Sequence, residues 1–241
     1  MIKEAFAWIK NHSEAKGIDV FNKKFICYGG HAEEVKESVD HRPSPLEFYT
    51  LSGLVDYINR SHTNVICHVT GYKSVVAISD LREKWQDRCT FAECSPMETR
   101  GFQFGNWHSI EHFIIEVQSK FVDSEAKANM LRHVSGISSS EVKTCEDDGV
   151  SQSVATKNKL GRLETAKLDP IIQLAPYRTF PELIQPESKF LFRLRNRKDE
   201  LPEVCLFEAD GGAWKIEAMH RIASYLTSHA GHKEGNYQVI A

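Results

Sequence analysis

Apolar residues recur at two different spacings along this chain, and the order of those spacings limits what it can fold into. Within Leu46 to Arg60, LEFYTLSGLVDYINR, residues Leu51, Leu54, Val55 and Ile58 fall three and four apart. That is one face of a helix, with Thr50 or Ser52 as its cap. NVICHV and KSVVAISDL follow with Gly71 between them and read as a hairpin, and RCTFAEC, Arg88 to Cys94, reads as a third strand. Helical spacing returns from Trp107 to Phe121 and again from Ser124, stopping at Gly136 as a C-cap. Then the pattern turns to β. SEVKTCEDDGVSQSVATK predicts a hairpin around Asp147-Asp148-Gly149, and IIQLAP, KFLFRLRNR and EVCLFEAD predict strands. A last helix from Ala213 to Ser228 places Trp214, Ala218, Ile222, Tyr225 and Leu226 on one side, and NYQVIA reads as a terminal strand.

This order predicts an α+β fold. Helices with a small antiparallel sheet come first, then an antiparallel β-rich second half closed by a C-terminal helix. The expected organisation is an N-terminal helix, strand and loop over 1–45, a helix/sheet subdomain over 46–136, and a β-rich subdomain with its helix over 137–241. Residues 46–241 are expected to pack as one compact unit. Gly29 to Pro45, charged and holding two glycines and two prolines, reads as a long loop with a helical piece.

Composition narrows the class. With 241 residues, 41% hydrophobic and 26% charged, the chain has enough apolar material for a core and is not a disordered chain. A net charge of −3 gives no whole-molecule attraction to nucleic acid or an anionic membrane, so such binding needs a local patch. No apolar run approaches the roughly 18 residues of a membrane span. MIKEAFAWIKNHSEAKG carries acids and lacks a long apolar stretch, so it reads as a mature start rather than a signal peptide. None of the six cysteines forms a C-x-x-C pair; reduced thiols and a cytoplasmic protein are the expectation.

WHSIEHFIIEVQSKF holds His108, Glu111 and His112 as H-x-x-E-H, the spelling of an inverted zinc-protease motif. A zinc site needs two imidazoles on one helix face, a third ligand and a water-activating carboxylate. The apolar stripe Ile110, Phe113, Ile114, Val117 and Phe121 puts His108, Glu111 and His112 on the opposite, solvated side, and nothing selects a third ligand. An amphipathic helix without metal is therefore expected, and no cofactor.

Three other stretches stand out. In FLFRLRNRK, Phe190, Phe192 and Leu194 alternate with Arg193, Arg195 and Arg197. One face could hold an anionic ligand or track phosphates, against the blander reading of a solvated face paired with Glu203 or Glu208. Lys157 and Lys159 extend the patch only if their strand is a neighbour. Asp210-Gly211-Gly212 joins a strand to a helix carrying Trp214. Such a junction can seat a phosphate, but a tight turn with Asp210 as cap explains it more simply. PYRTFPELIQPESKF is a proline-stiffened arm with Tyr177, Arg178 and Phe180. It can lie across its own domain or a neighbouring subunit, and the intersubunit arm is the reading preferred here.

EDDGVSQSVATKNKLG, LAPYRTFPELIQPESKFLFRLR and LFEADGGAWKIEAM, with the weaker TLSGLVDYINRSHTNVICHVTGYKSVVAISDL, resemble an uncharacterised family of phage and prophage proteins. That family is distantly similar to the YfdQ-like prophage family of unknown function. The resemblance spans roughly Thr50 to Ala241 and implies a phage-encoded, cytoplasmic, non-virion protein in a bacterial host. It supplies no catalytic residue. The expected function is a non-enzymatic accessory protein that self-associates as a homo-oligomer and binds a host or defence component or nucleic acid, without membrane contact. A shell-like or filament assembly protein is the first alternative, and a zinc hydrolase using His108, Glu111 and His112 the second.

Overall fold

The computed structural model describes residues 16–20, 23–28, 31–34, 44–61, 63–82, 87–98, 100–138, 141–147, 152–157, 163–167, 169–196, 202–230 and 237–241. They fall in two compact units, Met1–Ser44 and Pro45–Ala241. In the first, β1 (Lys16–Val20), β2 (Lys23–Tyr28) and β3 (His31–Glu34) form an antiparallel sheet in that order. Part of the stretch expected as a loop after Gly29 is therefore strand; the helix expected at the N-terminus lies outside the described residues.

The second unit is α+β. Its first elements are β4 (Leu46–Phe48), α1 (Leu51–Arg60), β5 (Val65–Gly71), β6 (Ser74–Ile78) and β7 (Thr90–Cys94). Next come β8 (His108–Ser109), α2 (Ile110–Lys120) and α3 (Glu125–Ser138). Then follow β9 (Glu141–Asp147), β10 (Gln152–Lys157), β11 (Leu163–Lys167), β12 (Ile171–Leu174), β13 (Ser188–Arg195) and β14 (Glu203–Glu208). The last are α4 (Ala213–His229) and β15 (Tyr237–Ile240). Three sheets result: β15-β5-β6-β7-β4, β12-β13-β14-β8 and β11-β10-β9.

The first of these is five-stranded and mixed, not small and antiparallel. β15 runs parallel to β5 and β4 parallel to β7. A parallel partner arrives from far along the chain, so hairpin logic cannot foresee it. The apolar cores follow the same crossing. Phe113 and Val117 of α2 and Met130 and Val134 of α3 pack with Phe190, Phe192, Leu194, Val204 and Leu206 of the four-stranded sheet. Leu51 and Leu54 of α1 and Ile222 and Leu226 of α4 pack with Val65, Cys67, Val69, Val75 and Ala77 of the five-stranded sheet. Core membership thus does not follow chain order: the closing helix serves the first sheet, and the middle helices serve the later one.

Boundaries differ for local reasons. Leu46 to Phe48 is strand, because the helical repeat of apolar residues starts only at Leu51. Thr50 caps α1, its hydroxyl accepting from the Gly53 N–H at 3.2 Å. α3 continues past Gly136 to Ser138, since Ile137 is buried in the core and draws the helix beyond the expected stop.

Candidate functional site

The H-x-x-E-H letters do not all sit on one helix. Ser109 caps α2, and His108 lies before the helix, in β8, paired with Val204 of β14. This corrects the expectation that His108 faces water. Strand pairing turns its ring inward, where it is 8% exposed and packs on Phe102 at 5.1 Å. Its Nε2 lies 3.1 Å from the Gln103 carbonyl, donating in the tautomer that carries the proton there. Glu111 and His112 are exposed, as expected. The two imidazoles still meet, with centroids 5.4 Å apart and planes at 29°. Among the described residues, no three His, Cys, Asp or Glu side chains are grouped closely enough to hold a metal ion.

The histidines instead share a cleft of about 630 Å³ where β8 runs into α2. Arg195 at the end of β13 lines it, as do Arg100, Gln103, Asn106 and Trp107 from the segment leading into β8, Ser109 of β8 and Glu116 from α2. Glu111 does not. The Arg195 guanidinium lies 4.3 Å from the Trp107 ring centroid, and its Nε donates to Glu203 Oε2 at 2.7 Å. Burial pushes the Glu116 carboxyl up, but the hydrogen bond and charge of Lys120, helped by His112 and His108, outweigh it and hold the pKa low. Glu116 is thus a paired carboxylate in a wall otherwise rich in donors.

The arginine strand alternates as read. Phe190, Phe192 and Leu194 are buried, while Arg193 and Arg195 are half-buried on the other face. Arg197 lies outside the described residues. Arg195 has the cross-strand partner expected of a solvated face, Glu203, directly opposite it in register. Arg193 does not line the cleft. β10, which carries Lys157, pairs with β9 and β11 rather than with β13, so it does not extend the patch as a neighbouring strand; Lys159 lies outside the described residues.

The proline-rich arm lies across its own chain, which corrects the intersubunit reading of Arg178 and Phe180. Phe180 is fully buried with the α1 and α4 core. Arg178 stacks 3.9 Å from the Trp214 centroid and donates to Glu208 at 2.8 Å and to the Ser188 hydroxyl. Burial lowers the Arg178 pKa, while Glu208 and Asp210 pull it up. Tyr177 alone of the three remains exposed, at 48%. The reason for the inward docking is the buried Gln185 amide. Its Oε1 accepts from the Arg178 and Thr179 N–H groups at 3.0 and 3.2 Å, and its Nε2 donates to the Phe180 and Leu183 carbonyls at 2.9 and 3.0 Å. Glu182 reaches α1, accepting from Leu51 N at 2.6 Å and Ser52 N at 3.0 Å.

Asp210-Gly211-Gly212 is a turn. Gly211 and Gly212 have φ of 63° and 82°, and Asp210 Oδ1 accepts from the Gly212 N–H at 3.0 Å. A hollow of about 520 Å³ lies beside it, but Glu187, Asp210 and Glu217 line it against the single cation Lys189, which disfavours a phosphate there. Trp214 is buried against Tyr72 and Arg178.

Sequence reasoning missed Arg100, Gln103, Asn106 and Glu116 as cleft residues, and gave Trp107 no role. They share no spacing rule; a loop carries most of them, and it is held by the β8–β14 pairing, by the Gly105 N–H donating to the Leu206 carbonyl at 2.8 Å and by Lys120 donating to the Gly101 carbonyl at 3.3 Å. Burial raises the thiols of Cys67 and Cys205 to about 11 and of Cys94 to about 12, so these cysteines are core groups. No family profile, curated protein or solved structure matches the chain. Among the described residues, no helix is long and apolar enough to cross a membrane.

Proposed function

We propose that this protein works by binding, and that the cleft between β8, α2 and the end of β13 receives an anionic, phosphate-bearing group. One observation carries the reading. Two features suspected separately, the H-x-x-E-H histidines and the arginine strand, converge there, with Arg100 added at the rim. Guanidinium forks match the geometry of phosphate oxygens, and imidazole N–H groups add donors. Arg100 is exposed, and among the described residues no ion pair ties it to a carboxylate. It is therefore available to a ligand, whereas Arg195 first has to share Glu203. Isothermal titration with inorganic phosphate and pyrophosphate tests this. The expected result is weak, saturable, salt-sensitive binding at one site per chain, reduced at least about tenfold by Arg100→Gln. Unchanged affinity in that variant contradicts the reading.

On the sequence resemblance alone we extend the proposal to a phage-encoded accessory protein that self-associates in the bacterial cytoplasm. Native mass spectrometry at micromolar concentration reads the oligomer; a monomer removes self-association from it.

A further inference from the structure

We infer that the group received by this cleft is a nucleotide unit, a phosphate joined to a nucleobase, rather than a bare inorganic anion. The inference rests on the anion-binding reading above and names the ligand class for the same site. At about 630 Å³ the cleft lies within the 300–1,000 Å³ span of small-molecule sites and is far larger than one phosphate needs. Its chemistry is divided. Arg100 and Arg195 supply the positive charge, while Asn106 and Gln103 bring carboxamides and Trp107 an indole. Side-chain amides and carboxylates are the groups that read base edges by paired donors and acceptors, and aromatic rings and guanidinium planes are those on which bases stack. Glu116 adds a carboxylate, held ionised by Lys120. That carboxylate repels a bare dianion but accepts from the exocyclic amine of a base. A ligand with one anionic end and one neutral, hydrogen-bonding end has partners among both kinds of lining group; inorganic phosphate has partners among one. Such a unit is offered equally by a free nucleotide and by a single-stranded nucleic acid.

The test is isothermal titration of the full chain with the four ribonucleoside monophosphates, the matching unphosphorylated nucleosides, inorganic phosphate, and a short single-stranded oligonucleotide. At least one monophosphate is expected to bind about tenfold or more tightly than inorganic phosphate. The ratio of monophosphate to phosphate affinity is expected to fall towards one in Asn106→Ala and to persist in Arg100→Gln, which weakens both ligands. Circular dichroism confirms folding of each variant. Tighter oligonucleotide binding through the same residues identifies a strand as the source; equal binding identifies the free nucleotide. Equal affinity for phosphate and every monophosphate overturns the nucleotide inference and leaves the anion site standing. Binding of none of the probes overturns both.

Discussion

Gln185 shows how much one side chain can decide. Its amide uses both donor hydrogens and its oxygen to satisfy four main-chain groups of the arm, away from solvent. Gln185→Ala leaves those groups unpaired and is expected to cost about 3 kcal/mol, read by urea unfolding. A loss below about 1 kcal/mol would show that the arm is held in some other way. Asp210 gives a pH dependence. Burial pushes its carboxyl up, but the Gly212 N–H, the Ser188 hydroxyl, the Arg178 charge and the Trp214 N–H together bring it below the ordinary 3.8. A depressed carboxylate contributes stability above its unfolded value, and the contribution disappears as pH falls through the lower folded value. Asp210→Asn is therefore expected to destabilise most at neutral pH, with the gap to wild type closing below about pH 3.8. A gap that stays constant through that range sinks the assignment. The Gln185 role is not visible from residue type; Asp210 reads as a turn residue, which its bond to the Gly212 N–H matches, but its Ser188 and Arg178 partners come only with the docked arm.

At the scale of elements, α1 is held at its start from two sides, locally by Thr50 and at a distance by Glu182. Thr50→Ala and Glu182→Ala are each expected to remove about 1 kcal/mol, measured by thermal unfolding. If only Thr50→Ala matters, the arm does not support the helix. Thr50 was legible because capping is a rule about neighbours in sequence; Glu182, more than a hundred residues away, was not. The same contrast runs through the chain. The alternation of β13 and the inward stripe of α4 were readable, since each is set within one element. β4 and β8 were not, being short and defined by partners. β15 reads as a strand but not as a neighbour of β5. His108 was misplaced because a two-residue strand interrupts what the apolar stripe presents as one continuous helix.

Over the second unit as a whole, two cores are built by a chain that returns to its first sheet after completing its second. Cys67 and Cys94 belong to one core, and Cys205 is buried in β14. These three thiols are expected to resist an aromatic disulfide reagent at pH 8 while the protein is folded and to react together on unfolding. Fast labelling of any of them under native conditions would contradict the packing described. The cleft lies at one end of the four-stranded sheet, where β8 meets α2. Its composition was half legible: the histidines and Arg195 stood out by motif and alternation, while Arg100, Asn106 and Trp107 depend on how a loop is folded back. The most direct test of that site is nuclear magnetic resonance of the histidine rings during titration with a nucleoside monophosphate, with His112→Gln to assign the pair. Of the 11 histidines, His108 and His112 are expected to shift first and together, and Arg100→Gln to suppress the shift. Shifts confined to other histidines, or none at saturating ligand, would contradict a phosphate-bearing ligand in this cleft.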